Sequence, residues 1–157
     1  MKIVLLNTGK TEEKHIAEAL DIYSKRLVHY CNFETIAVNP GTGSGKLAPA
    51  QLKQYEAELL LKKLKPDDFV VLLDEKGRQF RSVVFAGWIN EHQIRGIKRM
   101  VFITGGAYGF HETMYKRANE KISLSNMTFP HQLVRLIFIE QLYRAFTIIR
   151  NEPYHHE

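Results

Sequence analysis

The residues best suited to chemistry stand in four places along the chain. Gly105 and Gly106 come directly after the apolar run Met100 to Ile103, within Thr-Gly-Gly-Ala-Tyr-Gly-Phe. With no Cβ in the way, such a pair lets the backbone approach a ligand or another chain segment closely. Leu73 and Asp74 end a second apolar run, and Leu124 to Phe129 (Leu-Ser-Asn-Met-Thr-Phe) follows a third. In open parallel sheets ligands bind beyond the carboxyl ends of the strands, so these three segments mark one candidate cleft. The fourth place is the tail Pro153-Tyr154-His155-His156. An imidazole titrates near neutral pH, so His155 suits a general base, and Tyr154 suits orienting a ligand by stacking or through its hydroxyl. On spacing alone, a tight turn is the simpler account of the glycines, and a solvated terminus the simpler account of the histidines. The glycine spacing is not that of the dinucleotide fingerprint.

The elements that must position these residues alternate regularly. Lys2 to Leu6, Phe33 to Val38, Phe69 to Leu73, Met100 to Ile103 and Ile122 to Leu124 are short runs of strand length. Between them lie helical patterns: Ile16, Ala19, Leu20, Tyr23 and Leu27; then Leu52 to Leu64 after Pro49; then Val83 to Ile89 with Ser82 as N-cap; then Met114 to Asn119. This order predicts one α/β domain over residues 1–157, a mainly parallel sheet with helices on both faces. Phe69 to Leu73 is apolar without alternation, as a central strand covered on both sides requires. Asp74 to Gly77 is expected to turn the chain there. Pro130 fits the first turn of a final helix running from His131 to Arg150. That helix is apolar around most of its circumference, with Leu133, Val134, Leu136, Ile137, Phe138, Ile139, Leu142, Tyr143 and Phe146 among its residues. It should be covered both by its own domain and by a second copy.

Twenty-two Lys and Arg against seventeen Asp and Glu give a net charge of +5, which favours an anionic partner such as RNA, DNA or acidic lipid. Cys31 is the single cysteine, which excludes an internal disulfide or a cysteine-rich zinc site; no metal is expected. There is no signal-peptide pattern at the N-terminus and no apolar run near the ~18 residues of a membrane span, so a soluble cytoplasmic protein is expected. Gly41 to Lys46 (Gly-Thr-Gly-Ser-Gly-Lys) has the wrong glycine spacing for a Walker loop; a mobile loop bringing Lys46 to RNA phosphates fits better. Arg144 is spaced to pair with Glu140. Arg135 suits an RNA phosphate or a carboxylate across a dimer, and His131 suits holding its turn by a hydrogen bond.

Three motifs carry a family resemblance. Ser-Leu-Ser-Asn-Met-Thr-Phe-Pro-His-Gln-Leu-Val-Arg, then Glu-Gln-Leu-Tyr-Arg-Ala-Phe, then Pro-Tyr-His resemble the ribosomal large-subunit pseudouridine N3-methyltransferases of the RlmH type, within the SPOUT superfamily. The resemblance spans the whole chain. It implies a C-terminal trefoil knot, which runs against the general rule that chains do not thread loops. It implies S-adenosyl-L-methionine as cofactor, bound by Leu73, Gly105, Leu124, Ser125, Asn126, Met127, Thr128 and Phe129. It also implies a homodimer acting on helix 69 of 23S rRNA within the assembled ribosome, with the tail lying over the cofactor cleft. Methylating N3 of a pseudouridine requires loss of the N3 proton, the task assigned to His155, with Tyr154 orienting the base. Many members of the family have Arg or Lys where this chain has His156, so a phosphate contact there does not carry over. The alternatives are a SPOUT methyltransferase for another RNA such as tRNA, or a non-catalytic RNA-binding dimer.

Overall fold

A computed structural model describes residues 1–156. The chain runs β1 (Lys2–Thr8), α1 (Lys14–Leu27), β2 (Asn32–Val38), α2 (Pro49–Leu61), β3 (Phe69–Gln79), α3 (Ser82–Ile94), β4 (Arg99–Thr104), α4 (Glu112–Arg117), β5 (Glu120–Ser123) and α5 (His131–Ile149). The strands form one sheet in the order β2-β1-β4-β3-β5, and every neighbouring pair is parallel.

The apolar strand runs have a direct explanation in two cores. Ile3, Leu5, Val71, Leu73, Met100, Phe102 and Ile122 face the layer that contains residues of α1, α3 and α5. Val4, Leu6, Val70, Leu72, Val101 and Ile103 face the opposite layer, with Ala57 and Leu60 of α2 and Met114 of α4. Successive strand side chains point to opposite faces, so a strand covered twice has no polar positions to alternate with.

β3 does not stop at Leu73. It continues to Gln79, and its pairing with β5 breaks between Leu73 and Arg78, with Ile122 serving as partner to both. Residues 74–77 bulge out of the ladder, and the Asp74 carboxylate accepts a hydrogen bond from the Lys76 N–H at 2.8 Å. The expected turn chemistry is therefore present, but it forms a bulge inside a strand. Gly77 makes this passage feasible: a Cβ there would lie 2.5 Å from the Ile122 backbone.

Helix starts also differ in detail. Ser82 is the first residue of α3, after Arg81 at the cap, and its hydroxyl donates to Gln141 of α5 at 3.1 Å. Pro130 is the cap of α5 and lies just outside its first turn. α4 begins at Glu112, where the His111 ring accepts from the Thr113 N–H, and it ends at Arg117. Asn119 has left the helix and pairs with Val70 through both its N–H and its side-chain oxygen, which starts β5.

α5 packs against α1 and α3 and buries Phe138, Ile139, Leu142, Ala145 and Phe146. Phe138 meets Phe102 of β4 at 4.5 Å between ring centroids. Leu133, Leu136 and Ile137 remain only half-buried. Among the described residues, no helix is long and apolar enough to cross a membrane, and no group of three metal-ligating side chains occurs.

Candidate cofactor cleft at the carboxyl ends of the sheet

Because β3, β4 and β5 are parallel, their carboxyl ends share one edge of the sheet. A cleft of about 800 Å³ opens there. Leu73, Gly105, Leu124, Ser125, Met127, Thr128 and Phe129 all line it, so the three segments singled out by position come together. Asn126 belongs to the same loop, but its side-chain oxygen accepts from Gln79 Nε2 at 2.7 Å and ties the loop to the end of β3. Ser125 shapes the loop from within: its hydroxyl accepts from the Met127 N–H at 2.9 Å, and its carbonyl accepts from the Ser123 hydroxyl at 2.9 Å.

Neither glycine of the pair puts a side chain between its backbone and the cleft. A Cβ on Gly105 would sit 3.4 Å from Gly109, and one on Gly106 would collide with the Glu56 carboxylate. Backbone groups therefore form this wall, while Leu73, Leu124, Phe129 and Val134 supply apolar surface. A pocket with apolar walls and closely approachable backbone fits a ligand with both apolar and hydrogen-bonding parts.

Further residues come from elements that spacing did not connect to the site. Lys53 reaches it from α2, and Tyr115 from α4. Tyr115 donates to Asp74 at 2.6 Å, and burial together with that carboxylate pushes its phenol up to about 12. Tyr108 and Met127 are exposed at the cleft. His131 also lines the cleft, exposed, and its side chain makes no hydrogen bond to the described residues; the expected role in holding its turn falls instead to Ser125.

Behind the cleft lies a buried polar cluster. Thr104 donates to Asn7 at 2.9 Å across paired β4 and β1. Arg135 is 0% exposed, with Nη2 donating to the Thr8 carbonyl at 2.6 Å and Nη1 to the Thr11 hydroxyl at 2.9 Å. Burial lowers its pKa. The expected contact with RNA or a second copy is thus replaced by an internal one, because the side chain points under the β1–α1 loop. Gln132 acts on the same loop: its side-chain oxygen accepts from the N–H groups of Glu12 and Glu13 at 2.8 and 3.1 Å. α1 has no side-chain cap of its own, and Gln132 serves as one from another helix.

The tail is elsewhere. Tyr154 donates to Glu140 at 3.1 Å, the Arg144 guanidinium lies 4.8 Å from the Tyr154 ring centroid, and Arg144 Nη1 is 3.5 Å from His155 Nδ1. The expected Arg144–Glu140 pair forms at 2.6 Å. Burial and the neighbouring Tyr23 and Glu140 raise the Tyr154 pKa. Glu140 follows Val134, the last cleft residue on α5, by six helical residues, a distance of about 9 Å at ~1.5 Å per residue, and neither Tyr154 nor His155 lines the cleft. Tyr154 and His155 are therefore not brought to the cleft of their own chain.

A parallel α/β sheet with a glycine-walled cleft at its carboxyl edge and a separate aromatic–histidine tail defines the class. The family profile described as "Predicted SPOUT methyltransferase" matches residues 1–155, and the chain belongs to that family. It is also similar at full length to individual relatives. Ribosomal RNA large subunit methyltransferase H of Parabacteroides distasonis is 52% identical over 157 residues, all of both chains. The protein of the same name from Phocaeicola vulgatus is 52% identical over the same span. That of Christiangramia forsetii is 51% identical over 156 residues, 99% of each chain.

Proposed function

We propose that this chain is an S-adenosyl-L-methionine-dependent methyltransferase that methylates N3 of a pseudouridine in helix 69 of 23S rRNA, acting on the assembled ribosome as a homodimer. The family membership and the full-length similarity to rRNA large subunit methyltransferases support the reaction class and the RNA substrate. The observation that carries the dimer is the separation of tail and cleft. Tyr154 and His155 are held at Glu140 and Arg144, so the cleft they serve is that of a second copy. Leu133, Leu136 and Ile137 give α5 the half-exposed apolar surface such a pairing needs. The close passage of β5 beside Gly77 is consistent with the threading of a C-terminal trefoil knot.

When bound, S-adenosyl-L-methionine supplies an electrophilic methyl group on a sulfonium. Leu73, Leu124 and Phe129 provide apolar walls for its base, while the 105–106 and 124–129 backbone holds its polar part. Asn126 contributes indirectly by fixing the loop to Gln79. Tyr154 of one protomer orients the target base in its partner's cleft, and His155 accepts the N3 proton. Placing N3 in line with the methyl group accounts for most of the rate.

The experiment supplies methyl-labelled S-adenosylmethionine and ribosomes from cells lacking the modification, followed by nucleoside mass spectrometry. Label in 3-methylpseudouridine of large-subunit RNA is the expected result. Cofactor binding without that label would overturn the assigned substrate.

A further inference from the structure

Glu56 is a largely buried residue whose carboxylate has no partner among the described residues. It sits on α2, 7% exposed, in sequence beside the core residue Ala57. Its carboxylate rests on Gly106, where any Cβ would collide with both oxygens. No described residue donates a hydrogen bond to it or forms an ion pair with it, and burial alone raises its pKa. Lys53, one turn earlier on the same helix, lines the cleft without pairing to it. Its oxygens keep contact with solvent, and with no cation beside it the carboxylate is open to a partner arriving from outside.

Gly106 is itself a wall of the cleft, and a residue without a side chain is the thinnest wall a protein can build. A negative charge directly behind it acts on whatever occupies the cleft.

We infer that Glu56 is the anionic backing of the cofactor cleft, set behind Gly106 to favour a cationic sulfonium ligand over the uncharged thioether that remains after methyl transfer. This rests on the proposed methyltransferase function. In that reaction the N3–methyl bond forms as the sulfur–methyl bond breaks; the bonding pair stays on sulfur, and the N3 proton passes to the base. Sulfur thereby loses its positive charge. The attraction to Glu56 disappears at the same moment, which weakens product binding relative to cofactor binding.

The test is calorimetric binding of S-adenosylmethionine and S-adenosylhomocysteine to the whole protein, with no RNA and no turnover. Glu56→Gln keeps the shape and removes the charge. It is expected to weaken S-adenosylmethionine about tenfold and leave S-adenosylhomocysteine within about twofold, as loss of one charge pair predicts. Glu56→Asp, which keeps the charge, should retain part of the preference, and thermal melting of both variants monitors folding. Equal weakening of both ligands, or no change in either, would overturn the inference while leaving the cofactor assignment intact. Failure of the unmodified protein to bind either ligand would overturn both.

Discussion

The Tyr154 hydroxyl donates to Glu140 at 3.1 Å, and Arg144 holds the same carboxylate at 2.6 Å while lying against the Tyr154 ring. This fixes the C-terminal tail to α5, nearly two turns of helix beyond Val134 at the cleft. In the proposed dimer, a tail anchored there serves the partner's cleft. His155→Ala is expected to lower kcat about a hundredfold with cofactor affinity unchanged, the lower range for loss of a general base. A Gly105→Val variant should lose cofactor binding, because its side chain would press on Gly109 and Phe110. Mixing the two inactive variants should restore about a quarter of full activity, since half the dimers are mixed and each has one intact site. Recovery of none, under conditions where subunits exchange, would show that each tail serves its own chain.

Gly77 and Ile122 give a stability prediction. A Cβ on Gly77 would lie 2.5 Å from main-chain atoms, which cannot rotate away as a side chain can. Gly77→Ala should cost about 3 kcal/mol in urea unfolding, at the upper end for overpacking. Gly43→Ala is the control. It adds a methyl where nothing lies within 4 Å, and should change stability by less than about 0.5 kcal/mol.

Gly77 also marks the limit of what could be read from the sequence. The apolar runs of β1, β3 and β4 were legible because burial on both faces removes polar residues from strands, as in Val70 to Leu73. The cleft was legible because the parallel β3–β4 ladder ends at Leu73 and Thr104, with Ile122 of β5 beside Leu73, so the segments that follow had to meet. The bulge at 74–77 was not, since an Asx turn has the same local signature whether the strand ends or resumes. Glu56, Lys53 and Tyr115 were not, because their relation to the cleft depends on which face of the sheet α2 and α4 cover. The internal roles of Arg135 and Gln132 are hidden from the sequence for a similar reason. Their partners, Thr8, Thr11, Glu12 and Glu13, lie more than a hundred residues away in the chain.

Cys31 gives a pH-dependent prediction. Burial pushes its thiol up from 9.0 to about 12, against weaker opposing effects of the N-terminal amine and Arg150. Between those values the unfolded chain releases the proton and the folded chain keeps it, so the unfolded state binds fewer protons. Stability should be unaffected by this group below pH 9 and should fall as pH rises from 9 to 12. Cys31→Ala should reduce that slope in urea titrations. At pH 8, iodoacetamide should label native protein far more slowly than urea-unfolded protein; equal rates would refute the buried-thiol account.

Arg135 separates a structural charge from an RNA-binding one. Its guanidinium is fully buried, donating to the Thr8 carbonyl and the Thr11 hydroxyl. Arg135→Met fills similar space but leaves the Thr8 carbonyl without this donor, at an expected cost of about 1–3 kcal/mol in stability. Arg135→Lys keeps a charge but not the forked geometry, and should lie between the two. An arginine neutralising a phosphate would instead contribute to the salt dependence of RNA binding. Its loss would reduce the slope of log K against log salt by about one. The expected result is a lowered melting temperature with an unchanged slope. A reduced slope with full stability would place Arg135 at the RNA surface and require the loop from Thr8 to Thr11 to open on binding.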